Sequence, residues 1–104
     1  MSEWFDVIPA AELPTNERKA VMIQGISILI LNVDGNYYAI HNQCTHQNFP
    51  LDEGPLEGVT ITCPFHGAKF CIKTGEVLSP PAFEDITTYP VRIVNDILQI
   101  NIDS

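Results

Sequence analysis

Apolar residues in this chain come in short β-branched runs separated by turn residues, and no stretch sustains a helical period. Trp4 to Ile8 predicts a first strand. Pro9 to Leu13 predicts a single helical turn, stopped by Pro14. Ala20 to Ile23 and Ile26 to Leu31 predict two strands, with Gln24-Gly25 between them as a tight hairpin turn. Asp34-Gly35 is a second turn signal before Tyr37 to Ile40. Val59 to Thr62 and Lys69 to Ile72 are further short strands. Thr74-Gly75 turns the chain into Glu76 to Leu78. A last hairpin runs from Tyr89 to Val94, turns at Asn95-Asp96 and returns from Ile97 to Ile102. Short strands at regular spacing predict an all-β, antiparallel sandwich or barrel.

Residues 42–58, 64–68 and 79–85 break the pattern and predict loops, the last around Pro80-Pro81. Loops on a β scaffold are where sites are usually built. There is no internal repeat, low-complexity tract or linker, and 104 residues predict one domain over 1–104. No apolar run approaches the length needed to span a bilayer, and the longest, Ile26 to Leu31, is interrupted by Ser27. The N-terminus is acidic and lacks the basic-then-apolar order of a signal peptide, so a cytoplasmic protein is expected.

Thirteen acidic residues against five basic ones give a net charge of −8. That balance disfavours nucleic acid as a partner, since phosphate binding needs clustered Lys and Arg. It suits solubility, and it also suits steering toward a basic patch on another protein. Three cysteines, an odd number, fit metal-ligating thiolates in a reducing compartment better than a disulfide framework.

Two of these cysteines fall in the loops, each beside a histidine. The first box is Cys44-Thr45-His46 and the second is Cys63-Pro64-Phe65-His66-Gly67, with sixteen residues between His46 and Cys63. Two pairs of soft and imidazole side chains, each pair in one loop, are suited to converge on a single metal centre. Structural zinc is one candidate for such a set, but its usual pattern puts two Cys in one segment and two His in another. The mixed order here, Cys-x-His followed by Cys-x-x-His-Gly, resembles the Rieske [2Fe–2S] family, and the resemblance covers nearly the whole chain.

That resemblance implies a Rieske-type antiparallel β-sandwich with a cluster-binding subdomain, its loops within about 42–85. It implies one [2Fe–2S] cluster, with Cys44 and Cys63 on one iron and His46 and His66 on the other. Two ferric ions, two sulfides and two thiolates then sum to a neutral oxidised centre when the imidazoles are neutral. Adding an electron is easier than to an all-thiolate centre, so the potential is higher than in plant-type ferredoxins. Loss of an imidazole proton would couple the redox state to pH.

Departures from the high-potential members of the family refine the expectation. Those proteins have two further cysteines that brace the loops as a disulfide, and the matching positions here are Phe49 and Phe65. They also have a Ser and a Tyr whose hydroxyls reach sulfur, where this chain has Ala68 and Phe70. Fewer donors to sulfur predict a potential near the low end of the Rieske range, on the order of −150 mV. Phe49, Phe65 and Phe70 are read as core or shielding aromatics, and Pro80, Pro81 and Phe83 as a loop covering the cluster. Cys71, in a strand, is read as a buried inert thiol, and His41 as having no role at the cluster.

The resemblance implies an electron carrier and not an enzyme. It would take single electrons from a flavoprotein ferredoxin reductase and give them to the terminal oxygenase of an aromatic-ring dioxygenase system. The alternative is a Rieske-like small subunit of an assimilatory nitrite reductase, and a zinc-stabilised interaction module is a third reading.

Overall fold

The computed structural model describes residues 3–45, 49–65 and 67–102. Eleven strands and one 3₁₀ turn form three antiparallel sheets among these residues. Strands β1 (Trp4–Pro9), β10 (Val91–Val94) and β11 (Ile97–Asn101) form the first sheet, in the order β1-β11-β10. Strands β2 (Arg18–Ile23), β3 (Ile26–Val33), β4 (Asn36–His41) and β9 (Thr88–Tyr89) form the second, in that order. The third is β5 (Leu56–Glu57), β6 (Thr60–Thr62), β7 (Lys69–Cys71) and β8 (Val77–Ser79). The expected helical turn is the 3₁₀ turn Ala10–Glu12.

The unbroken apolar run Ile28 to Leu31 within β3 has a structural cause. Side chains alternate across a strand, so a run apolar at every position needs an apolar environment on both faces. Ile28 and Ile30 pack on one side with Leu98 and Ile100 of β11, in a core that also holds Leu13, Ile23 and Ala39. Leu29 and Leu31 pack on the other side with Ile61 of β6 and Phe70 of β7. Strand β4 divides in the same way, Ala39 to the first core and Ile40 to the second. The second sheet is therefore the middle layer. It carries the β1-β11-β10 sheet on one face and the small β5-β6-β7-β8 sheet, with its loops, on the other.

The turns follow their residues. Gln24-Gly25 has φ of 52° and 78°, and Asp34-Gly35 has 53° and 88°. Two successive left-handed residues suit a two-residue hairpin, because their twist matches that of the flanking strands. Asn95-Asp96, at 52° and 65°, turns β10 into β11 in the same manner. The exposed face of the first sheet carries a polar ladder across its three strands. Arg92 Nε donates to Gln99 Oε1 (2.8 Å), Gln99 Nε2 donates to Asp6 Oδ1 (2.5 Å), and the Arg92 guanidinium lies 4.1 Å from the centre of the Trp4 ring.

Two expectations need correction. The predicted strand from Tyr89 to Val94 is broken at Pro90, with β9 pairing with β4 and β10 pairing with β11. Proline has no N–H to give to a ladder, so it is a natural place for a chain to leave one sheet and enter another. Its carbonyl is still used, accepting from Asn101 N–H at 3.1 Å. The stretch 42–58, expected to be irregular, contains β5, whose two residues pair with Thr60 and Ile61. No helix among the described residues is long and apolar enough to cross a membrane.

Candidate metal centre

Both boxes lie at the ends of strands that face the second core. The first follows β4, and the second links β6 to β7. Each closes on itself in the same way. Cys44 N–H donates to the carbonyl of Phe49 (2.8 Å), and Cys63 N–H donates to the carbonyl of Ala68 (2.7 Å). In the second box Gly67 N–H also donates back to the Cys63 carbonyl (3.0 Å), with Gly67 at φ +78°. A left-handed residue at this point is readily supplied by glycine, and it lets the loop fold back within five residues.

The first box is also fixed from below. Asn42 is buried, and its Oδ1 accepts from Leu51 N–H (2.8 Å), while its Nδ2 donates to Ser27 Oγ (3.2 Å). One side chain thus ties both ends of the loop 42–51 to strand β3. An apolar replacement would leave the Leu51 donor buried without its acceptor, a loss of about 1–3 kcal/mol. Arg18 of β2 holds the next segment, donating from Nη1 to the carbonyls of Gly54 (2.5 Å) and Asp52 (3.3 Å). Thr45 Oγ1 donates to the Glu84 carbonyl (2.8 Å), which joins the first box to the loop after β8. The sequence signals for these ties were weak, since lone Asn, Arg and Thr residues carry no spacing pattern.

Cys44 and Cys63 are each 1% exposed and belong to one apolar cluster with Leu51, Ala68, Phe70 and Ala82. Neither is in a disulfide. Two free thiols brought from separate loops into one buried apolar setting fit a metal–sulfur centre. Such surroundings also disfavour water and carboxylate ligands, which suit harder ions. His46 and His66 lie outside the described residues. Among the described residues no group of three or more His, Cys, Asp and Glu side chains converges. Ala68 and Phe70, at the positions that bear hydroxyls in high-potential relatives, are fully buried in the same cluster and offer no donor.

Two expectations for the surroundings change. Cys71 is partly exposed, not buried, because β7 turns it away from the core that takes Phe70. Its thiol pKa is lowered, chiefly by a hydrogen bond with the Thr74 side chain, against desolvation that raises it. Phe83 does not cover the cysteines. It is 88% exposed, and the residue of that loop that enters the cluster is Ala82. Of the aromatics expected in the core or as shields, Phe70 is in the core, and Phe65, 56% exposed, is left the shielding role. His41 lines a cavity of about 170 Å³ together with Gln43, Cys44, Thr45 and Glu84.

A family model for the Rieske [2Fe-2S] domain matches residues 3–90. The 3-phenylpropionate/cinnamic acid dioxygenase ferredoxin subunit of Escherichia coli (strain K12) is 42% identical over 86 residues, which are 82% of this chain and 80% of that protein. The solved structure of the Sphingomonas yanoikuyae B1 ferredoxin matches with a TM-score of 0.87 and 34% identity, over 95% of this chain and 98% of that one. A chain of the complex of reduced oxygenase and oxidized ferredoxin in carbazole 1,9a-dioxygenase matches with a TM-score of 0.87 and 28% identity, over 94% and 92%. These relatives are ferredoxin components, not catalytic subunits. On a family match that takes in both boxes and most of the β scaffold, the chain belongs to the Rieske [2Fe–2S] domain family and is an electron carrier with one [2Fe–2S] cluster.

Proposed function

We propose that this chain is the ferredoxin component of a multicomponent oxygenase system in the cytoplasm. It receives single electrons from a flavoprotein reductase and delivers them to a terminal oxygenase. In this reading Cys44 and Cys63 hold one iron, His46 and His66 hold the other, and residues 1–104 act as one domain. When bound, the cluster supplies a site that takes up and releases one electron. The chain's own residues set its surroundings: the Asn42 and Arg18 ties hold the loops, and Leu51, Ala68 and Phe70 keep water from the thiols.

The observation that carries this reading is the likeness to a ferredoxin over 95% of this chain and 98% of that one. An oxygenase partner is supported by the carbazole 1,9a-dioxygenase complex, in which a ferredoxin and an oxygenase are bound together. The surface agrees. Net charge is −8, Phe65 stands exposed in the second box, and Phe83 stands exposed on the loop that Thr45 joins to the first. Acidic charge steers an encounter, and exposed aromatics give a short-lived complex apolar contact.

Rapid mixing tests the proposal. The reduced protein is expected to be reoxidised by an oxidised ring-hydroxylating oxygenase, and the oxidised protein to be reduced by a flavoprotein reductase with its nicotinamide donor. Both rates should fall as salt rises from 0.01 M toward about 0.1 M, where the screening length shrinks to roughly 10 Å. Transfer to a sirohaem nitrite reductase but to no oxygenase would move the chain to the alternative class.

The low potential has its own test. In Phe70→Tyr a hydroxyl enters the apolar cluster that holds both thiols. If it donates to sulfur, the potential rises by tens of millivolts and stability is kept. If it finds no acceptor, stability falls by about 1–3 kcal/mol and the potential stays where it was. The first outcome is expected, and protein-film voltammetry with thermal melting separates the two.

A further inference from the structure

We infer that Phe49 and Phe65 form an aromatic clasp that holds the two ligand loops against each other and so fixes the placement of the cluster's ligands. The rings are stacked, with centroids 4.4 Å apart and planes inclined by 25°. One ring comes from each loop. Phe49 closes the first box through its carbonyl, which accepts from Cys44 N–H, and Phe65 stands between Cys63 and His66 in the second.

The backbone hydrogen bonds that close the boxes run within each box, from Cys44 to Phe49 and from Cys63 to Ala68. They order each loop but do not fix one loop against the other. The stacked rings span that gap. Core packing does not account for the pair, because Phe65 is 56% exposed. An aromatic ring left this open to solvent takes much of its contact from the partner it stacks on. The pair is uncharged and has no redox chemistry, so it grips equally in both oxidation states. Phe49 and Phe65 are thus positioning residues, acting on the ligands through the loops that carry them.

This inference rests on the cluster assignment above. Its measure is the rate at which purified holoprotein loses its visible absorbance to an excess of an iron chelator, with the electron paramagnetic resonance line shape of the reduced protein as a second readout. A stacked pair shifts the balance between closed and sprung loops by about two- to twelvefold. Phe49→Leu and Phe65→Leu, which keep apolar bulk but remove the ring, should each speed loss by about that factor and broaden the resonance. Phe65→Tyr keeps the ring, and at this exposed position its hydroxyl meets water, so it should lose the cluster at the unsubstituted rate. The double variant Phe49→Leu/Phe65→Leu should be no faster than the faster single, since both remove one contact. Leu variants as slow as the unsubstituted protein, a Tyr variant as fast as Leu, or single effects that multiply in the double variant would each overturn the clasp. If the unsubstituted protein itself holds no iron, the cluster assignment fails instead, so the two failures are distinguishable.

Discussion

Protein carrying Cys63→Ala is expected to purify colourless, without iron or acid-labile sulfide, whereas Cys71→Ser keeps all three. The two cysteines differ in surroundings. Cys63 is 1% exposed and lies in the apolar cluster shared with Cys44, while Cys71 is partly exposed on the other side of β7. In the proposed ligand set, two thiolates and two imidazoles, the oxidised centre is formally neutral. Losing one thiolate leaves a net positive charge and an open coordination position among Leu51, Ala68 and Phe70. No side chain of that cluster compensates such a charge, and an unpaired buried charge costs about 3–5 kcal/mol or more. Cys44→Ala should behave as Cys63→Ala does. Stoichiometric iron and sulfide in either alanine variant would show that the ligand set has been assigned wrongly, and loss of colour in Cys71→Ser would bring the third thiol into it. Because ligand binding and folding are coupled in small metal-holding domains, both alanine variants should also melt at the temperature of the apoprotein.

The second large effect is expected at a residue with no polar side chain. Gly54→Ala should lower stability by about 3 kcal/mol and the melting temperature by roughly 12–24 °C. A Cβ at this position would meet the Thr62 carbonyl oxygen at 2.1 Å and the Leu51 carbonyl oxygen at 3.1 Å. Both obstacles are backbone, so no rotamer change relieves them. Thr62 is itself held, its N–H donating to the Pro55 carbonyl (2.9 Å), and it immediately precedes Cys63. Pushing it away strains the second box, so Gly54→Ala should also speed cluster loss. Gly25→Ala is the matched control. Gly25 has φ +78° but nothing within 4 Å of its Cβ position. Alanine there costs only the left-handed backbone strain, about 1–2 kcal/mol, with no backbone pushed toward either box. Calorimetry and chelator kinetics on the two variants rank them. A Gly25→Ala protein less stable than Gly54→Ala, or equally prone to lose its cluster, would defeat the steric argument.

The chain's own order of residues determined more than its composition did. Gln24-Gly25, Asp34-Gly35 and Asn95-Asp96 marked hairpin turns because few residues tolerate two successive left-handed conformations, and that restriction is local. Ile26 to Leu31 marked a strand for the same local reason. The family was legible from the two boxes, because metal ligation needs particular side chains at close spacing. The absence of hydroxyls at positions 68 and 70 could be read directly.

Tertiary structure decided what depends on neighbours distant in the chain. That Ile28 to Leu31 is apolar at every position because β3 divides two cores could not be read from the run itself, since a fully buried strand and an ordinary apolar segment look alike in one dimension. Pro90 announced a break, but only pairing with β4 and β11 showed that the chain changes sheets there. The sequence did not distinguish Ala82 from Phe83 as the residue facing the thiols, because aromatic size suggests burial and loop geometry overrode it. The ties made by Arg18 and Asn42 and the meeting of Phe49 with Phe65 join residues 9 to 36 positions apart. Side-chain chemistry limits which partners are possible, and only the folded backbone determines which of them come within reach.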